Sequence, residues 1–467
     1  MLRGALARSN LPLNDMEISS PPHLPWRAVP GKYKAAARND EINIWSQMAN
    51  KITQVTLKNG MKVMLKEIHT APIISSWVWY RVGSRDESTG KTGVSHWTEH
   101  MQFKGTKKFP ANILDKAISR EGGRWNASTS HDSTRYYETM PADKIDLALR
   151  LEADRMQNSN FSEKEVASER TVIISEREGH ENEPMFRLTE AVQNTAFHVH
   201  PYHHEIIGDM ADLHTISRDD LYEHYRRYYV PNNAVLAMAG DFETQSILKR
   251  IKELFEPVPM GPTPYRLIRP EPEQKGEVRL SVEGPGETTF IQVAYRFPNA
   301  THSDYFPLQV LDSLLGGASG LSYKTSRLYR SLVDQEYAVD VSGWSEATID
   351  PFLYRITITN HPKRKPEKTI AALDTEIQKI QDVLVSRNEI KRAVKQARAV
   401  FAYSSENITN QAFWMGYVEM FSSYKWFTNY LYELAKVTPQ DVQRVARKYL
   451  QPKDRVIGTY IPKGMEG

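Results

Sequence analysis

His96-Trp97-Thr98-Glu99-His100 places two imidazoles and a carboxylate within about one helical turn. Side chains at i and i+4 leave the same face of a helix, so His96 and His100 can grip one metal ion. Glu99 lies three residues after His96 and shares that face. A carboxylate there can take a proton from a water that such a metal activates, and the chemistry served is metal-assisted hydrolysis. The order His-x-x-Glu-His reverses the commoner His-Glu-x-x-His, a difference to which helix geometry is indifferent. A lone match is not decisive, because a chain of 467 residues with 14 histidines can produce it by accident. Val94, Trp97 and Met101 add an apolar stripe at helical spacing, roughly opposite the histidines. The polar triplet is therefore expected to face a cleft or solvent while the other side packs.

A catalytic zinc usually takes three protein ligands and leaves a fourth position open. The chain has no cysteine, which excludes disulfides, thiolate zinc sites and a cysteine nucleophile and leaves His, Asp and Glu as ligands. The stretch 162–182 reads as a helix, opened by a capping box of Ser162 and Glu165. On it Glu169 and Glu176 are two turns apart and share a face. One could ligate a metal while the other holds a ligand histidine. Spacing alone does not select Glu176 over Glu178 or Glu165, and a glutamate-rich helix is also an ordinary solvated face.

These elements sit in a globular chain. It is 40% hydrophobic and 25% charged with a net charge of +3, a balance that gives no reason to expect nucleic acid or an anionic membrane as partner. No stretch approaches a transmembrane span. The first 40 residues are irregular and proline-rich, with Arg3 and Arg8 ahead of any acid but no apolar core of a secretory signal. The compartment stays open between cytoplasm and periplasm.

Strands are predicted over 52–57 and 61–68 around the turn Lys58-Asn59-Gly60, and again over 73–82. The motif helix follows, then helices near 111–121, 142–158 and 162–182, with a polar strand from 124 to 138. A helix near 217–229 ends at Pro231-Asn232-Asn233. Val235 to Ala239 reads as a buried strand and 247–255 as an amphipathic helix. A proline-rich linker then precedes what reads as a second copy. Thr215 to Val235 can be laid without gaps on Lys436 to Val456, pairing Ser217 with Thr438, Asp220 with Asp441 and Pro231 with Pro452. Trp77 to Val82 likewise resembles Gln292 to Phe297. The expected organisation is an N-terminal extension (1–44), a metal-binding domain (45–257), a linker (258–275) and a homologous domain (276–467). The fold class is α+β: two like α/β-sandwich domains, each an antiparallel sheet packed with helices. Only the first copy carries His-x-x-Glu-His.

His96 to Thr106, with Glu169-Arg170-Thr171-Val172-Ile173-Ile174-Ser175-Glu176 downstream, resembles the pitrilysin/insulinase family of zinc peptidases over residues from about 45 to 465. The small two-domain members, similar to mitochondrial processing peptidase subunits, are the better match. The resemblance implies one Zn2+ per chain held by His96, His100 and Glu176, with Glu99 as general base and Glu169 as accessory glutamate. It implies a half-clamshell that pairs with a second copy or with a related subunit, enclosing peptide substrates. The alternative is a non-catalytic structural or assembly subunit on the same fold, against which the presence of His96, Glu99, His100 and Glu176 counts. Gly122-Gly123-Arg124-Trp125-Asn126-Ala127 resembles the family's edge-strand segment, where Asn126 and Ala127 would meet the substrate backbone. Arg330 and Tyr337 match an Arg/Tyr pair that reaches bound peptide, Tyr337 also steadying the oxyanion. The sequence departs from the family at Trp97-Thr98, where an apolar pair is usual, and at Ser175. His198, His200, His203 and His204 form a second cluster, but His200-Pro201-Tyr202 matches a family segment without a metal role.

Overall fold

The computed structural model describes residues 52–266, 269–317 and 323–464. The expected N-terminal extension lies outside the described residues, as do Ala318–Gly320 in the glycine-rich stretch. Everything below concerns the unit that begins at Thr53.

The first sheet contains β1 (Thr53–Thr56), β2 (Lys62–Glu67), β3 (Ile73–Tyr80), β4 (Arg124–Thr129), β5 (Thr134–Pro141) and β6 (Ala234–Gly240). The second contains β7 (Val278–Pro285), β8 (Phe290–Phe297), β9 (Ala338–Ser345), β10 (Phe352–Asn360) and β11 (Arg455–Lys463). Their orders are β1-β2-β6-β3-β5-β4 and β7-β11-β8-β10-β9. With β1 set aside, the two sheets have the same topology. Each has one parallel pair, β2 with β6 and β7 with β11, and is otherwise antiparallel. β6 is buried at every position, which explains its unbroken apolar sequence.

The helices are α1 (Val94–Met101), α2 (Ala111–Arg120), α3 (Ile145–Asn158), α4 (Glu163–Glu181), α5 (Pro184–Ala196), α6 (Met210–Thr215), α7 (Arg218–Tyr228) and α8 (Thr244–Phe255) in the first half. The second half has α9 (Tyr305–Leu315), α10 (Pro366–Asp382), α11 (Arg387–Ser404), α12 (Ile408–Phe421), α13 (Tyr424–Lys436) and α14 (Pro439–Tyr449). The gapless repeat becomes α7–β6 and α14–β11. Ser217 and Thr438 each close a reciprocal capping box, with Asp220 and Asp441. The chain is thus α+β, with two like sheets packed against helices.

Sequence did not foresee that the halves exchange a helix. α5 leaves the first half to pack on β7, β8 and β11, and α12 leaves the second to pack on β3 and β6. Gly416 makes the α12 contact possible, because a Cβ there would lie 2.1 Å from Nε1 of Trp79. Two expectations are corrected. The polar strand 124–138 is a hairpin, β4 and β5 joined by a turn in which Ser130 N–H donates to the Ser133 carbonyl at 2.8 Å. The Ser162 cap makes only half of its box: its side chain accepts from the Glu165 N–H.

Candidate functional site

α1 follows the central strand β3 and is almost wholly interior. Val94, Trp97 and Met101 enter the first core, and His96 and Glu99 are themselves only 9% and 7% exposed. The polar face is therefore largely buried rather than open to solvent. Gly93 (φ 88°) caps the helix, and a Cβ there would press to 2.4 Å from the Ile207 carbonyl oxygen. The helix N-terminus is held by Glu87, whose carboxylate accepts from Gly93 N–H at 2.8 Å and Ser95 N–H at 2.7 Å. His204 reaches the same carboxylate at 2.8 Å. α4 is fixed against α1 by Arg170, which donates to the carbonyls of Leu213 and Ile216 and lies 4.8 Å over the Trp97 ring.

This scaffold brings together His96 and His100 of α1 with Glu176 of α4. One donor atom from each lies within 4.8 Å of the others, the one group of its kind among the described residues. Nε2 of His96 is 4.0 Å from Oε1 of Glu176, and Nε2 of His100 is 3.7 Å from Oε2. These separations are too long for hydrogen bonds and close to twice a zinc–ligand distance of about 2.1 Å. The donor set, two imidazoles and a carboxylate, suits zinc.

Electrostatics prepare the group for a cation. Burial, with His100 and His180 nearby, pushes the His96 imidazole well below its ordinary pKa and so keeps it neutral. Burial acts on His100 the same way, but Glu169 and the charges of Glu99 and Glu176 outweigh it and raise its pKa. Nδ1 of His100 lies 2.9 Å from Oε1 of Glu169. With the proton on Nδ1, that bond turns the Nε2 lone pair toward Glu176. Glu169, despite burial that acts to raise it, is held below the usual carboxylate range by His100 and Lys104. Its second oxygen pairs with the Lys104 ammonium.

Glu99 projects beside this group, and Oε2 accepts from the Thr129 hydroxyl at 2.8 Å. Burial raises its pKa, against the opposing effects of His100, Thr129 and Arg135. A carboxyl moved upward toward neutrality is a better proton acceptor for catalysis than one at its usual value.

The remaining sequence candidates fall elsewhere. β4 is the edge strand of its sheet, and period-2 alternation turns Trp125, Ala127 and Thr129 toward α1. Asn126 therefore points to the opposite face, so its side chain does not join Glu99. Tyr337 precedes β9, the edge strand of the second sheet. Its ring lies under Arg364 at 5.0 Å and its carbonyl accepts from His361 N–H and the Thr369 hydroxyl, all within the second half. Arg330 is exposed on the short turn Tyr329–Val333. Neither touches the His96–Glu176 group. In the second half the helix after the matching central strand β8 is α9, which has no histidine and buries Leu308, Leu311, Leu314 and Leu315. The second histidine cluster is dispersed into structural bonds, with His204 on Glu87 and His200 3.2 Å from Asp350.

Sequence reasoning missed Glu87, Thr129 and Lys104. Thr129 was findable, since it lies two residues beyond Ala127 and so on the same strand face. Lys104, four residues after His100 on the α1 side, had a weaker helical signal, and Glu87 had none.

Sequence profiles agree with this arrangement. One for insulinase (peptidase family M16) matches residues 62–210, and one for the peptidase M16 inactive domain matches residues 215–397. A zinc protease of Helicobacter pylori, PqqE, is 31% identical over 409 residues, 85% of this chain and 90% of that one. The chain belongs to the M16 insulinase family of peptidases. A probable mitochondrial-processing peptidase subunit beta of Arabidopsis thaliana is 27% identical, covering 87% of this chain and 78% of that one. Among solved structures, that of a protease from Helicobacter pylori superposes with a TM-score of 0.83 at 29% identity, over 88% of this chain and 99% of the other. No helix among the described residues is long and apolar enough to cross a membrane.

Proposed function

We propose that the chain is a zinc-dependent metallo-endopeptidase that hydrolyses short or unfolded peptides. The observation that carries this reading is the convergence of His96, His100 and Glu176, with Glu99 alongside. Membership of a peptidase family whose relatives include named zinc proteases supports it. His96, His100 and Glu176 would hold one zinc, and Glu169 would orient His100 for it. Zinc, when bound, polarises the scissile carbonyl and acidifies the attacking water. Glu99 accepts a proton from that water and delivers it to the leaving amine, while Thr129 keeps the carboxylate in place. An extended peptide joins the sheet at β4 by main-chain hydrogen bonds, beside Ala127, which makes recognition tolerant of sequence.

Arg330 and Tyr337 act on substrate from a second chain, another copy or a related subunit, with the two half-clamshells enclosing a chamber. Their isolation from the His96 group within one chain favours this, as does similarity to a protein named as a subunit. Cleavage of a quenched unstructured peptide by the purified chain, with and without chelator and compared with Glu99→Gln, tests the reading. Chelator and substitution should each abolish cleavage. Cleavage that survives both would refute it, and activity that arises only on adding a related chain would assign a heterodimer.

A further inference from the structure

The stripe of α4 that carries Glu176 does not end at the metal group. At about 100° per residue, Glu169, Glu176 and His180 fall within about 40° of one another around the helix axis. Glu169 supports His100 and Glu176 completes the ligand set. His180 stands one turn beyond Glu176 on the same face, with no part in the chemistry proposed above.

Nε2 of His180 lies 3.9 Å from Oε1 of Glu176, as close as Nε2 of His96 at 4.0 Å. Three imidazoles thus surround one carboxylate: His96 and His180 face Oε1, and His100 faces Oε2 at 3.7 Å. His180 nevertheless lies outside the His96–His100–Glu176 group, within which each donor atom comes within 4.8 Å of the others. It is placed to act on the carboxylate rather than on the ion that the carboxylate would hold.

A Glu and a His at i and i+4 are often no more than a helix-surface pair, which contributes little. Two observations set this pair apart. Both partners are withdrawn from water, with side-chain exposures of 8% for Glu176 and 23% for His180. The imidazole is also held in place: the Phe186 ring, on α5, packs against it at 5.0 Å and 59°. Phe186 is covered in turn by Arg177, 5.1 Å away, whose guanidinium pairs with Glu181 and Glu190. Because α5 is the helix that the first half gives to the second sheet, the His180 ring is fixed from outside its own helix.

We propose that His180 is a positioning residue for Glu176, its Nε2–H donating to Oε1 when metal is bound. The terminal torsion of a glutamate is soft, so a small turn of the carboxyl converts the 3.9 Å separation into a hydrogen bond. With Oε1 engaged, Oε2 is left for the metal, and the carboxylate ligates through one oxygen. A second carboxylate oxygen on the ion would compete for the position that a catalytic zinc keeps open for water. His180 thus does for Glu176 what Glu169 does for His100. The inference rests on the zinc-peptidase reading.

The test replaces His180 in the full-length chain and reads the metal as well as turnover. His180→Phe keeps a flat ring against Phe186 and removes the donor, and His180→Gln restores an N–H. Competition against a chromophoric chelator should show zinc affinity about tenfold lower in His180→Phe and largely recovered in His180→Gln. In the cobalt-loaded chain, the visible absorption of His180→Phe should shift and weaken as the second carboxylate oxygen joins the ion. A packing defect at this half-exposed ring would not change the ion's coordination. Zinc affinity and cobalt absorption unchanged in His180→Phe, or an equal loss of affinity in His180→Phe and His180→Gln, would overturn the proposal. The expected pattern in a chain that cleaves no peptide would sustain the positioning role and refute the peptidase. An unsubstituted chain that binds no zinc would overturn both.

Discussion

Replacing Glu169 should weaken metal binding in a graded way without touching a ligand. The Glu169 carboxylate contacts Nδ1 of His100 with one oxygen and Lys104 with the other. Glu169→Gln keeps an acceptor for the imidazole N–H but loses the negative charge. Glu169→Ala loses both, frees the His100 ring to turn or change tautomer, and leaves Lys104 without its partner next to the ligands. Partners of this kind contribute about tenfold to hundredfold in metal affinity, or about 1.4 to 2.7 kcal/mol. We expect Gln near the lower bound and Ala near the upper. Competition of the folded variants against a chromophoric zinc chelator gives the affinities directly. Because an uncompensated Lys104 ammonium would itself repel a cation, Glu169→Ala should be repeated with Lys104→Met. That double variant isolates the loss of orientation, and it should recover only part of the affinity. Wild-type zinc affinity in Glu169→Ala would refute the role given to this contact.

Other consequences follow from residues around the site. Glu87→Ala removes two charge-assisted hydrogen bonds from the first turn of α1 and strands His204, so thermal unfolding should show a loss of about 3 kcal/mol, with weaker zinc binding. Asp312 on α9 is buried, and burial lifts its carboxyl to about 7 against an opposing effect of Tyr354. The folded chain thus holds this proton where the unfolded chain, at about 3.9, has released it. Stability is lost as pH rises between those values, by an amount on the order of 4 kcal/mol for this group. Asp312→Asn should therefore raise the melting temperature at pH 8, with the gain shrinking toward pH 5, and an equal gain at both would contradict the assignment. Tyr337→Phe should lower kcat for peptide cleavage with little change in zinc content, since the tyrosine lies away from the metal group.

How much of this was legible in the sequence differs by element, and for physical reasons. The α7–β6 and α14–β11 units could be read because their signals are local: a capping Ser or Thr with Asp three residues on, an amphipathic turn, then Pro and an apolar strand. His96, Glu99 and His100 could be read for the same reason, being on one helix turn. Glu176 could not be chosen from spacing, since Glu178 and Glu165 compete on the same helix. Only the packing of α4 on α1, fixed by Arg170 over Trp97, singles it out beside the resemblance. The helix exchange was invisible because α5 and α12 are amphipathic or apolar whichever sheet they cover, and Gly416 reads as a helix weakness until Trp79 is placed against it. The hairpin within 124–138 was missed because Ser130-His131-Asp132-Ser133 lacks the glycine that marks most tight turns. Arg135 carries no sequence signal at all.

The claim on which everything else depends is that His96, His100 and Glu176 form one zinc site. The most direct measurement is the metal content of the purified chain, taken after dialysis against a weak chelator and compared with Glu176→Gln and Glu99→Gln. One zinc per chain is expected, strongly reduced in Glu176→Gln and fully retained in Glu99→Gln. Absence of zinc from the unsubstituted chain after reloading, or equal zinc in Glu176→Gln, would contradict the account.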